Sequence, residues 1–471
     1  MPASAHYHPD PRLPLLGADF ADPVRPAEFP RLDLRWRNDR AAETIGLSEL
    51  SDVEWVTHFG RFASLPDNFV TPLAQRYHGH QFRVYNPDLG DGRGFTFAQL
   101  RESGSGRLLD LATKGSGVTP WSRSGDGRLT LKGGVREVLA AEMLEALGVR
   151  TSRAFSLVET GEALFRQDEP SPTRSAVLVR LSHGHIRFGT FQRPAALDRP
   201  DLVRKLTAYT LDHYFPCRAG DADPGVALLE EACSAAARLT AAWMAAGFVH
   251  GVLNTDNMNI TGESFDYGPY RFLPRNDPNF VAAYFDHAGL YSFGRQPEAV
   301  FWNLRQLAGC LLGVGSPESA LVEVLNGFGD LYRSSLAAAV LRRLGVTSKG
   351  AEEDSRLVNS AFRALAAGGE RLRWEPFFFD WFCGDEARAL SGRRGEVYRQ
   401  TEFDDFRRHM SDAIPDRPER LSHPLFNREE PVELLYERIE AVWALIAEAD
   451  DWSGFEALLS EIAAARAAWG F

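Results

Sequence analysis

Hydrophobic and polar positions divide the chain near residue 200. Before that point the apolar residues come in short, strand-length runs at 82–85, 95–100 and 108–114. The last two alternate or are fully apolar, and a turn at Ser103-Gly104-Ser105-Gly106 joins them. Further strand-like runs follow at 154–158 and 176–191. Between them, Val135, Val138, Leu139 and Leu144 recur at helical spacing and predict one helix over 134–147, stopped by Gly148. From Asp201 onward the period is helical, over 201–215, 226–246, 297–313, 318–343, 355–366, 403–412 and, in pieces, 431–467. Leu229, Cys233, Ala236, Thr240, Trp243 and Met244 form one apolar stripe, which predicts core packing. Residues 1–75 form a Pro-rich, loop-like lead with a helical patch at 48–59. This order predicts an α+β fold, a strand-rich part followed by a helical part, with a cleft between them near residue 195.

Composition narrows the function classes. The 471 residues are 44% hydrophobic and 25% charged, which excludes a wholly disordered, collagen-like or coiled-coil chain. A net charge of −12 argues against a general binder of nucleic acid or anionic membranes, so neither is expected as a partner. No run of 18 apolar residues and no basic-then-apolar start is present, so neither a membrane span nor a signal peptide is expected and a cytoplasmic location is. Cys217, Cys233, Cys310 and Cys383 are scattered without a CxxC pair, as suits reduced, mostly buried thiols. The 52 basic residues include only four lysines, Lys114, Lys132, Lys205 and Lys349. A lysine in an apolar strand of so arginine-rich a chain marks a place for a compact ammonium.

The densest chemical signal is His250-Gly251-Val252-Leu253-Asn254-Thr255-Asp256-Asn257, after a helix stopped at Gly247. A turn at Thr261-Gly262-Glu263-Ser264 leads to Phe265-Asp266-Tyr267-Gly268 and, folded as a hairpin, sets Asn257 across from Asp266. An amide oxygen and a carboxylate so placed make a hard-oxygen site for Mg²⁺ or Mn²⁺. The layout resembles the catalytic centre of protein kinases, whose Asn and Asp-Phe-Gly aspartate both ligate metal. Val252 stands where kinases carry the catalytic Asp, and Asp256 is the substitute carboxylate. Lys114 and Glu137 match the kinase strand-lysine and helix-glutamate pair, and Leu89-Gly90-Asp91-Gly92-Arg93-Gly94 lies where a Gly-rich loop covers phosphates. Two strands turning at His183-Gly184 set Arg180 against Arg187, a pairing that calls for an anion between them and suits a γ-phosphate clamp. His78/His80 and His183/His185 lack a third ligand at metal spacing and are not read as a metal site.

Together, Tyr77-His78-Gly79-His80-Gln81-Phe82, Leu89 to Gly94, Lys114-Gly115-Ser116-Gly117, Ser124-Gly125-Asp126-Gly127 and Gly251 to Met258 resemble the selenoprotein O family. The resemblance is specific over 75–295 and fades after about 345. It implies a kinase-like, two-lobed fold and transfer of AMP from ATP to Ser, Thr or Tyr hydroxyls of proteins, with the nucleotide inverted relative to kinases. The implied divisions are an extension over 1–75, an N-lobe over 76–195, a C-lobe over 196–345 and a helical region over 346–471. Carried over, Lys114, Arg180 and Arg187 hold the phosphates, and Gly90, Gly92, Arg93, Asp126 and Gly127 complete the nucleotide site. Asn257 and Asp266 hold Mg²⁺ or Mn²⁺, Glu137 orients Lys114, and Asp256 is the general base. The family's C-terminal Cys or selenocysteine is absent, so redox control through it is not expected. Two alternatives stand beside this one: a kinase transferring the γ-phosphate, and a pseudokinase scaffold that binds nucleotide without turnover.

Overall fold

The computed structural model describes residues 4–167 and 169–471, so the first three residues of the 1–75 segment lie outside the described residues. The first part of the chain carries β1 (Ala21–Pro23), β2 (Asp33–Arg37), β3 (Leu73–Gln75), β4 (Gly79–Gln81), β5 (Val84–Asn86), β6 (Thr96–Arg101), β7 (Leu108–Lys114), β8 (Leu129–Thr130), β9 (Arg153–Leu164) and β10 (Thr173–Ser182). Its helices are α1 (Asp39–Glu43), α2 (Asp52–Phe59) and α3 (Leu131–Ala146). Among the described residues, eight of these strands form one antiparallel sheet in the order β1-β3-β6-β7-β10-β9-β2, with β8 on β10, while β4 and β5 make a separate hairpin. The fold is therefore mixed α/β around a large antiparallel sheet.

Strand alternation decides what each sheet face meets. Val177, Val179 and Leu181 of β10 and Leu109 and Leu111 of β7 share a core with Trp55 and Phe59 of α2. The alternate positions Ala176, Leu178 and Leu108 pack with Val135, Val138 and Leu139 of α3. Lys114 and Arg180 have the parity of this second set, and the register places Leu178 opposite Lys114 and Arg180 opposite Ala112. Both cationic side chains thus leave the sheet on the face that α3 covers.

The segment 1–75 is not a loop preceding the sheet: it supplies β1, β2 and β3, and α2 caps one face. Its strands are too short, and β1 too marked by Pro23, for alternation to reveal them. The run 176–191 also divides differently. The strand ends at Ser182, and Phe188–Ala196 is helix α4, started by Arg187 in extended geometry.

The rest is helical: α5 (Pro200–Tyr214), α6 (Pro224–Ala245), α7 (Gln296–Leu312), α8 (Glu318–Leu344), α9 (Ala351–Gly368), α10 (Trp374–Asp380), α11 (Glu386–Ser391), α12 (Gly395–Tyr398), α13 (Asp404–Ser411), α14 (Tyr436–Ala449) and α15 (Ser453–Trp469). Two short strands, β11 (Phe248–Val249) and β12 (Arg271–Phe272), pair with each other. Apart from the hairpin and sheet, two cores organise this part, one continuous with α3 and one around Trp374, Phe377, Trp381 and Phe406. The α6 stripe is buried as its spacing predicts. Among the described residues no helix is long and apolar enough to cross a membrane. Cys233, Cys310 and Cys383 are buried free thiols, whereas Cys217 is exposed.

His183, buried against Tyr214 in the loop after β10, ties acid sensitivity to this core. Burial, aided by Arg107 and Arg150, pushes its imidazole down to about 3, while an unfolded chain protonates it near 6.5. Between those values the unfolded state binds more protons, so this group's contribution to stability is present above about 6.5 and is lost as pH falls. His183→Gln is expected to lose less stability than the wild type between pH 7 and 5 in urea titrations; equal losses would contradict this.

Candidate functional site

A cleft of about 700 Å³ gathers Lys114, Arg180, Arg187, Asp256, Asn257 and Asp266 with the glycines of both loops. Each comes from a different local device. Lys114 ends β7 and Arg180 lies on β10, while Glu137 sits in the second turn of α3 beneath them. Arg187 is the residue before α4, and Asp256 and Asn257 lie in a single 3-10 turn, Thr255–Asn257. Hydrogen bonds lock that turn to its neighbours: His80 N donates to Thr255 Oγ1 at 2.7 Å, Thr255 Oγ1 donates to Gln192 Oε1 at 2.6 Å, and Phe82 N donates to Asn254 Oδ1 at 3.1 Å.

Asp266 is the hub. Its carboxylate accepts from Arg180 Nη1 at 2.8 Å and from Arg187 Nη1 at 3.1 Å, and lies 3.3 Å from Lys114 Nζ. Burial alone raises its pKa, but Arg180, Lys114 and Arg187 hold it well below the usual carboxylate range. Lys114 also pairs with Glu137. The two arginines therefore do meet around an anion, as the sequence predicts, but the anion here is a side chain. The cause differs as well, since no strand pairing sets 180 against 187.

Asp256 behaves in the opposite way. Burial pushes its carboxyl up to about 6 against the pull of Arg187, and its Oδ1 is buried with no hydrogen-bond partner. Asn257 Nδ2 donates to the Val252 carbonyl at 3.0 Å, which occupies the donor end of the amide. No hairpin ladder sets Asn257 across from Asp266; a loop in which Asp266 has φ of 60° brings both to the cleft.

The glycine-rich segments form the cleft mouth. A Cβ on Gly90 would meet the Trp121 ring at 2.3 Å, and one on Gly127, at φ +69°, would meet Gly117 at 2.3 Å. Gly92 and the exposed Arg93 line the same mouth, and the Arg93 carbonyl accepts from Gly115 N at 2.7 Å. Asp126 pairs with Arg166 at 2.8 Å and accepts from Arg128 N at 2.9 Å. His78 and His80 engage Tyr85 and Gln192 through Nδ1, at 2.6 and 2.7 Å. Among the described residues no group of three His, Cys, Asp or Glu side chains forms a metal cluster.

Three contributors escape sequence reasoning. Asp91 pairs with Arg187 at 3.1 Å, the Tyr77 ring lies 4.4 Å from the same guanidinium, and Phe265 lies beneath both arginines at 5.8 and 4.8 Å. Asp91 lies inside the glycine-rich segment and Tyr77 begins the Tyr77–Phe82 motif, so both signals are present in the sequence without a partner to interpret them.

A cradle of buried cations beside a carboxyl oxygen with no partner, behind loops of close-approach glycines, gives a cleft with the charge and the room to take an anionic ligand. The family model described as protein adenylyltransferase SelO matches residues 4–463, and the chain belongs to that family. It is 44% identical to a protein nucleotidyltransferase YdiU of Synechocystis sp., over 96% of this chain and 97% of that protein. Its likeness to the YdiU of Gloeobacter violaceus is 43%, over 98% and 97%, and to that of Mycobacterium sp. (strain KMS) 37%, over 72% and 73%. The family match runs well past residue 345, where motif-level resemblance fades, so the C-terminal helices belong to the family's chain as well.

Proposed function

We propose that the chain transfers AMP from ATP to Ser, Thr or Tyr hydroxyls of protein acceptors, in the cytoplasm, from the cleft of a kinase-like, two-lobed fold. The lobes are 76–195 and 196–345, flanked by 1–75 and 346–471. One observation carries this: Lys114, Arg180 and Arg187 line one cleft with the glycine-rich loops, in a chain of the adenylyltransferase SelO family, and the Nε atoms of both arginines have no acceptor within the protein. Buried donors left unpaired are costly, and phosphate oxygens match guanidinium geometry.

Terminal phosphates held by Arg180, Arg187 and Lys114 turn the α-phosphorus toward the mouth. The acceptor hydroxyl gives its proton to Asp256, whose raised pKa suits a base near neutral pH. The hydroxyl oxygen attacks the α-phosphorus, the bond from that phosphorus to the α,β-bridging oxygen breaks, and pyrophosphate leaves with the electron pair. Lys114, Arg180 and Arg187 stabilise the charge that accumulates on it. Glu137 orients Lys114, while Gly90, Gly92, Arg93, Asp126 and Gly127 cradle the rest of the nucleotide.

Asn257 and Asp266 would hold Mg²⁺ or Mn²⁺: both line the cleft, and the bond from Nδ2 to Val252 leaves the amide oxygen as the coordinating end. One or two protein oxygens are the usual protein share of a Mg²⁺–nucleotide site, phosphates and water supplying the remainder. Bound there, the ion neutralises charge on the phosphate oxygens.

ATP labelled at the α or the γ position tests the proposal. The α label is expected on protein with release of pyrophosphate; protein-bound γ label without α label would overturn it in favour of a kinase.

A further inference from the structure

A second cavity, of about 370 Å³, lies between the C-terminal end of α3, the C-terminal half of α6 and the last turns of α8. It shares no lining residue with the nucleotide cleft. Three solvent-exposed arginines contribute to its lining, Arg150, Arg238 and Arg342.

Arginines elsewhere in this chain are widely matched with carboxylates, as Arg174 is with Glu159 and Asp450, or Arg394 with Asp380 and Glu430. None of these three has a carboxylate ion pair among the described residues. Arg238 donates to Ser234 Oγ of its own helix, and the Arg342 guanidinium lies 5.9 Å from the Phe471 ring; neither contact offsets a charge. Burial lowers the pKa of Arg150, opposed by Glu263 and Glu102 and reinforced by Arg107 and Arg238. The walls between the arginines are apolar, with Leu239 and Ala242, and Ser335 adds a hydroxyl. A cavity of this size, mostly apolar with a few charges, has the make-up of a small-molecule site.

We propose that this cavity is a second anion site, which takes a small phosphate-bearing molecule with its phosphate held among the three guanidiniums. Oxyanions of two or more charges are the ligands that paired guanidinium forks bind best. The apolar walls accommodate the remainder of a phosphate ester.

Calorimetric titration of the full chain tests this with three probes: inorganic pyrophosphate, inorganic phosphate and AMP. Pyrophosphate is expected to bind at two sites per chain. The Arg238→Gln/Arg342→Gln double variant should weaken one of them at least tenfold while transfer activity and the circular dichroism spectrum stay unchanged. Ser335→Glu, which sets a fixed carboxylate among the guanidiniums, should abolish that site equally. Arg187→Ala removes the cleft site and leaves this one, so failure here is separable from failure of the proposed function. AMP binding tighter than phosphate assigns the ligand to the esters, and equal affinities assign it to free oxyanions. A single wild-type site that Arg187→Ala removes, or binding unchanged in the double variant, overturns the proposal, whereas a single site lost only in the double variant would count against the cleft reading alone.

Discussion

Asp266→Ala is expected to lower kcat/KM at least about 10³-fold, the largest loss from any single change in the cleft. The carboxylate is shared by Arg180 at 2.8 Å, Arg187 at 3.1 Å and Lys114 at 3.3 Å, so alanine leaves three positive charges with their common counter-charge removed. Removing one partner of a buried ion pair costs about 3–5 kcal/mol, and the 20% exposure of the Asp266 side chain places this case toward the lower end. Glu137 and Asp91 still pair with Lys114 and Arg187, which keeps the fold formed. The same change removes one of the two oxygen donors proposed for the metal. The expected signature is therefore double: α-label transfer is lost, and the unfolding midpoint drops but recovers in part when pyrophosphate occupies the space between the guanidiniums. A variant with activity within tenfold of the wild type, or a midpoint indifferent to pyrophosphate, would contradict the role of Asp266 as hub.

The cleft was more legible in the sequence than the backbone that builds it, for reasons visible at particular residues. Lys114 and Glu137 could be linked because each belongs to an element with a clean period, an apolar strand and an amphipathic helix. Arg180 and Arg187 were brought together correctly through an incorrect hairpin. Residues 186–194 are almost all buried, and a helix with every side covered loses the period of 3.6 that separates it from a buried strand. Asp266 was placed near Asn257 by a turn that reverses the chain but forms no ladder. What brings it to the cleft is a left-handed backbone and its three cationic partners, which are distant in sequence.

The sheet edges were the least legible part. β1 and β3 have three residues each, and their pairing joins segments about fifty residues apart, so no local pattern announces them. Asp91 illustrates the same limit at the site. Within a glycine-rich loop a lone carboxylate reads as turn chemistry, and only the fold shows that Arg187 lies beside it.

Asp256→Ala is expected to lower kcat about 10²- to 10⁴-fold, the range attributed to a positioned general base, with KM for ATP nearly unchanged. The split follows from what the side chain touches. Its Oδ1 has no hydrogen-bond partner, and the atom that holds Arg187 is the Asp256 backbone carbonyl, at 2.9 Å, which alanine retains. The phosphate clamp thus survives the substitution while the proton acceptor disappears. Stability should also move opposite to the Asp266 variant, because deleting a buried carboxyl whose oxygen is unpaired removes a desolvation cost rather than an ion pair. Self-labelling with α-labelled ATP, run beside thermal unfolding, reads both effects: label lost and midpoint held or raised. Label of equal strength in Asp256→Ala and wild type would assign proton removal to another group, and a collapsed midpoint would make Asp256 a structural residue.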